Sequence, residues 1–108
     1  LVKGEKVIVA ILENVDKDVH ANTADVLSQK LGKGVVILFN KNNESNVSII
    51  VKVSKELINK FNAGHIAKKI ASYLGGGGGG SPIFAQAGGK EVKKLEEVVK
   101  NISNFLED

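Results

Sequence analysis

Gly75, Gly76, Gly77, Gly78, Gly79 and Gly80 form an unbroken run, and no other stretch restricts the fold as strongly. Eight of the twelve glycines lie between Gly75 and Lys90, together with the single proline, Pro82. Each glycine in an ordered element costs roughly 0.5–1 kcal/mol relative to alanine. The run is therefore either a flexible linker or a place where the backbone needs positive φ or close approach. The linker reading fails on the segment after the glycines. That segment holds one amphipathic helix, which cannot bury its apolar stripe alone. The stripe must dock on the chain that precedes the glycines. The expectation is an internal loop, held at both ends, in a single domain spanning residues 1–108.

The chain before the loop alternates strand and helix signals. Glu5 to Leu12 contains a β-branched apolar run that reads as a buried strand. Asp16 is a good N-cap, and Val19, Thr23, Val26, Leu27 and Leu31 recur at helical spacing until Gly32. Val35–Phe39 and Val47–Val53 read as strands joined by the turn-forming Lys41–Asn46. Ser54–Phe61 suggests a helical turn. His65–Leu74 reads as a helix with an Ile66/Ile70/Leu74 stripe beside an Ala63/Ala67/Ala71 ridge. After the glycines, Ser81-Pro82 is expected to restart order as a short turn or helix. Glu91–Leu106 gives the clearest helical pattern, through Val92, Leu95, Val99, Ile102 and Leu106. The fold class is α/β: one small mixed sheet in β-α-β-β-α-α order, opening with a β-α-β unit and packed with helices.

With 43% hydrophobic residues the chain can build one core, and with no cysteine it has neither disulfides nor thiolate metal sites. No apolar run is long enough to span a bilayer, so no membrane partner is expected. All fifteen basic residues are lysines, and the net charge is +3. Lysine meets phosphate as a point charge but lacks the fork that reads guanine, so a nucleic-acid partner would be held by shape and backbone. The alternative is a solvated lysine surface.

Catalytic motifs are absent from the sequence. His20 and His65 fall on different helices, and neither has a partner at metal-ligand spacing. No Gly-x-Ser-x-Gly elbow occurs, and Gly89-Lys90 is followed by Glu91, so the phosphate-loop pattern fails. Polyglycine satisfies Gly-x-Gly-x-x-Gly trivially, and here it follows a helix, not a strand. Gly75 sits at a helix C-terminus, which repels anions. Gly88, Gly89 and Lys90 precede a helix N-terminus, where free N–H groups together with Lys90, Lys93 and Lys94 favour phosphate. The other reading is a tight turn into the helix.

The stretch Gly75–Ser81-Pro82-Ile83-Phe84-Ala85-Gln86-Ala87-Gly88-Gly89-Lys90 closely resembles the C-terminal signature of alanyl-tRNA synthetases. The resemblance extends to Gly32–Leu38, Val51–Lys55 and Ala63–Lys68. That family's last domain is related to the accessory domain of DHH-type phosphoesterases. The resemblance implies a C-terminal tRNA-binding module of an alanine–tRNA ligase, holding the outer corner of alanine-specific tRNA and supporting aminoacylation and editing in a cytoplasmic parent. It implies the parent's other domains as partners. It implies no cofactor in this segment, whereas the parent uses ATP, magnesium and zinc. The domain itself is expected to be inert. Because Leu1 lies just before the first strand, the family's upstream dimerising helical segment is expected to be missing. Arginine is common in the family where Ser81 stands, which weakens phosphate recognition at that position. The backbone-binding lysines expected by position are Lys68, Lys69, Lys90, Lys93 and Lys94, with Gly88 and Gly89 shaping the approach. Gly75 to Gly80, Ser81 and Gln86 make up the glycine motif. DNA is a further candidate partner. The alternatives are a protein-interaction or dimerisation module, using the alanine ridge, and a nucleotide-clamping accessory domain; the phosphoesterase Asp-His-His triplet is absent.

Overall fold

The computed structural model describes residues 2–107. Five strands form one mixed sheet in the order β1-β2-β3-β5-β4. β1 (Val7–Glu13) and β2 (Val35–Asn43) pair in parallel, with Val9 opposite Ile37. Their connection is α1 (Lys17–Leu31), which completes the expected β-α-β unit. β2 and β3 (Asn46–Val53) form the expected hairpin, with Phe39 opposite Ile49.

Alternation in β2 and β3 divides the core between two faces. Val35, Ile37, Phe39, Val47, Ile49, Val51 and Val53 point to one side, against α2 (Ala63–Tyr73) and the C-terminal helices. Val36, Leu38 and Ile50 point to the other, against α1. Both faces of these strands are apolar because both are covered, which explains the continuous hydrophobic runs. α1 buries His20 and Ala24 and half-buries Leu27 and Leu31, while Val19 and Val26 are exposed. The buried stripe is thus one position round from the expected one. His20 can occupy it because its ring Nε2 bonds the Leu38 carbonyl at 2.8 Å.

The glycine run departs furthest from expectation. It is not a loop: Gly77–Gly80 is strand β4, and Phe84–Gly89 is strand β5. β5 pairs with β3, and β4 pairs with β5, Gly79 opposite Gln86. The element order is therefore β-α-β-β-α-β-β followed by helix. Local propensity disfavours a glycine strand, but tertiary packing selects it. A Cβ on Gly80 would lie 2.4 Å from the Phe84 carbonyl oxygen, and one on Gly78 2.4 Å from Ala87 Cα. Ser81-Pro82 starts a turn, not a helix. Ser81 N–H donates to the Phe84 carbonyl at 2.8 Å, and Ser81 Oγ accepts from Phe84 N–H at 3.1 Å.

The segment after β5 is also less regular than its pattern. A 3₁₀ turn at Val92–Lys94 leads into α3 (Leu95–Lys100) and then α4 (Ile102–Leu106). Asn101 makes the break: both its backbone N–H and its side-chain amide donate to the Glu97 carbonyl. Side-chain competition of this kind is why asparagine interrupts helices. Val92, Leu95, Val98 and Leu106 nevertheless enter the core below α2, as the stripe requires.

Candidate nucleic-acid interface

α2 ends in a tight cap. Gly75 takes φ +75°, its N–H donates to the Ser72 carbonyl, and Gly76 N–H donates to the Ala71 carbonyl at 2.7 Å. This pair of bonds is the glycine-dependent Schellman arrangement, so Gly75 caps the helix as its position suggests. The Leu74 carbonyl then accepts from both Lys90 and Glu91 N–H, each at 2.8 Å. The bond from Lys90 means that its backbone N–H is not free to meet an anion, so at Lys90 only the side-chain ammonium is open to phosphate. The Lys90 and Glu91 amides instead tie the end of β5 to the end of α2. Gly89 is buried against Leu74, where a Cβ would lie 2.5 Å from Leu74 Cβ. The helix after it is only six residues long.

Lys90, Gly76, Gly77, Gly88 and Gly89 do meet, around a shallow depression of about 490 Å³ that also reaches Asn42 and Ser48. Lys68 and Lys69 lie elsewhere, on the exposed face of α2, beside a cavity of about 450 Å³ floored by Phe61, Ile66 and Phe105. Lys93 borders neither cavity. The lysines also differ in freedom. Lys94 Nζ sits 5.0 Å from the Tyr73 ring centroid and 3.5 Å from the Glu91 carboxylate. Lys69 Nζ donates to the Glu107 carbonyl at 2.8 Å. Among the described residues Lys68, Lys90 and Lys93 form no ion pair. Tyr73 donates to Glu97 Oε1 at 2.6 Å, and this bond raises its pKa above the ordinary phenol value.

The alanine ridge is not a free surface. Ala63, Ala67 and Ala71 are fully buried in the core, and α2 packs on β3, β4 and β5. It therefore cannot serve as the docking face of the interaction-module alternative. Gln86 is exposed on β5. His65 is exposed on the first turn of α2, capped by Asn62 Oδ1, which accepts its N–H at 3.1 Å.

Sequence reasoning missed a polar network at the ends of β1–β3. Asn40, 2% exposed, donates to the Val15 carbonyl at 2.8 Å and to Asn42 Oδ1 at 3.0 Å, and accepts from Val15 N–H at 3.2 Å. Asn42 Nδ2 donates to Ser48 Oγ at 2.9 Å. The available signal was an asparagine continuing the buried run Val35–Phe39, since a buried amide must have partners. Among the described residues no helix is long and apolar enough to cross a membrane.

A buried alanine face, a glycine hairpin and a lysine-bearing outer surface define a small α/β domain, and the comparisons with known proteins give its family. The DHHA1 domain family matches residues 4–108. The alanine–tRNA ligase of Petrotoga mobilis is 66% identical over 107 residues, covering 99% of this chain. That of Thermotoga maritima is 43% identical over 103 residues, covering 95%. The chain spans 12% of the length of each. The crystal structure of the C-Ala domain from Aquifex aeolicus alanyl-tRNA synthetase superposes with a TM-score of 0.87 at 31% identity, covering 100% of this chain and 96% of that one. The chain belongs to the DHHA1 domain family and, within it, corresponds to the C-Ala domain of alanyl-tRNA synthetases.

Proposed function

We propose that this domain binds tRNA through shape and phosphate backbone, as the C-terminal module of an alanine–tRNA ligase. In that role it holds the outer corner of the molecule and supports aminoacylation and editing by the parent's other domains, in the cytoplasm. It performs no chemistry itself. The observation that carries the reading is the end-to-end correspondence with the C-Ala domain of an alanyl-tRNA synthetase. The ammonium groups of Lys68, Lys90 and Lys93, which form no ion pair among the described residues, supply suitable charge, and Lys69 keeps donors beyond its bond to Glu107. Lys94, drawn towards Tyr73 and Glu91, contributes less.

The test is tRNA binding across a salt series. Several lysine–phosphate contacts give a log–log slope of roughly −3 to −5, at about 0.7–0.9 per neutralised phosphate. Lys93→Ala reduces the slope by about 0.7–0.9, and Lys94→Ala by less than that. A response flat in salt would refute the proposal.

A further inference from the structure

The two faces of α2 meet different surroundings. The alanine ridge is packed into the core, but the outer face borders the cavity of about 450 Å³ that Phe61, Ile66 and Phe105 floor. α4 forms the opposite wall through Phe105 and Leu106. Phe61, Ile66 and Leu106 are buried beneath the hollow, and the half-buried Phe105 borders it. A hollow of this size and lining takes a large apolar side chain.

The rim is cationic and rich in donors. Lys60, Lys68 and Lys69 border the cavity, and among the described residues no carboxylate does. Lys60 is neutralised by Glu5 at 2.8 Å. Lys68 forms no ion pair, and Lys69 bonds the neutral Glu107 carbonyl, so neither charge is compensated among the described residues. The Asn62 side-chain N–H groups and the Ser72 hydroxyl, also on the rim, have no partner among the described residues. An apolar hollow ringed by unpaired ammonium groups selects a ligand that is apolar at its centre and anionic at its edge. A phosphate backbone supplies the anions but no side chain for the hollow. A peptide segment with one large apolar residue between Asp or Glu residues supplies both.

We infer that this cavity docks an acidic segment of the parent ligase's own polypeptide when the enzyme is free of tRNA. A side chain the size of Leu or Phe fills the hollow, and flanking carboxylates meet Lys68 and Lys69. The inference rests on the reading of this domain as part of an alanine–tRNA ligase. The relatives are long enough to provide such a segment, since this domain corresponds to 12% of each. A tether within one polypeptide raises the effective concentration, so a single small pocket suffices. The cavity thus gives the domain a contact with its neighbours that the buried alanine ridge does not. Lys90 and Lys93 lie outside it and stay open to phosphate.

The experiment is photo-cross-linking in the full-length ligase, purified without tRNA. Ser72, exposed at the rim, is replaced by p-benzoylphenylalanine. The products are mapped by mass spectrometry from a mixture of ¹⁵N-labelled and unlabelled enzyme, which separates links within one chain from links between copies. The expected product joins this position to an acidic segment outside these 108 residues, within one polypeptide. Lys68→Glu combined with Lys69→Glu lowers its yield about tenfold or more through like-charge repulsion, whereas Lys68→Arg combined with Lys69→Arg retains it. Both lysines are exposed, so neither pair shifts the unfolding midpoint. No cross-link outside the domain, one only between copies, or a yield indifferent to the glutamate pair overturns the inference. A cross-link to added tRNA, with none to protein in its absence, overturns the inference and leaves the tRNA reading standing. The intramolecular cross-link together with tRNA binding flat in salt supports the docking and removes the tRNA reading.

Discussion

Gly64 of α2 and Gly80 of β4 are in backbone contact: a Cβ on Gly64 would lie 2.6 Å from the Gly80 carbonyl oxygen. The contact sits beside two hairpin-turn bonds to the start of α2, from Ala63 N–H to the Pro82 carbonyl at 2.8 Å and from Gly64 N–H to the Ser81 carbonyl at 3.0 Å. Helix propensity alone predicts that Gly64→Ala stabilises by about 1 kcal/mol. The contact predicts the opposite, a loss of about 1–3 kcal/mol through overpacking. Urea unfolding decides the sign, and a stabilised variant would show that α2 can retreat from β4.

Gly75 tests a different glycine requirement. It is exposed, so substitution disturbs little packing, but its φ of +75° strains any residue with a Cβ. Its nearest neighbour would be the Glu91 side chain, at 3.1 Å, which can move. Gly75→Ala is expected to cost about 1 kcal/mol, and Gly75→Asn less, because asparagine tolerates the left-handed region. Equal losses in thermal unfolding would place the cost in packing against Glu91 instead.

Asn40 holds three polar partners at the end of β2. Asn40→Ala leaves the half-buried Val15 N–H and carbonyl without that side chain. A loss of about 1–2 kcal/mol is expected from these partly buried groups left unsatisfied. The same change frees Asn42 from the bond that fixes its amide. The Asn42 side-chain amide resonances should therefore shift in this variant at temperatures where it remains folded. Circular dichroism melts give the first quantity and NMR the second.

The opening β-α-β unit, the β2–β3 hairpin and α2 were legible because each is a local pattern with clear ends. The two-faced core was legible in the apolar runs Val35–Phe39 and Val47–Val53. β4 was not, because four glycines carry no side-chain periodicity and disfavour strand. Only the pairing of Gly77–Gly80 with Gly88–Ala85 makes it one. The position of the α1 stripe was misread because histidine is discounted as a core residue, and His20 enters the core through one bond to Leu38. The lysines could be counted from sequence but not graded. Which are free and which are engaged depends on Tyr73, Glu91 and Glu107, whose positions are set by tertiary packing.

Tyr73 is the only tyrosine and the chain has no tryptophan, so its ionisation can be followed by ultraviolet absorbance without interference. The bond to Glu97 favours the protonated phenol, and this outweighs the nearby Lys94 ammonium, which favours the phenolate. Its midpoint should lie above the ordinary value of about 10. A folded-state pKa raised in this way contributes stability that is fully present below about pH 10 and is lost as pH rises through the folded midpoint. Glu97→Gln keeps an acceptor but removes the charge, so the midpoint should fall back towards about 10. Lys94→Ala should move it the other way. A midpoint unchanged by both substitutions would mean that Tyr73 has left this cluster in solution, and Lys94 would then be held by Glu91 alone.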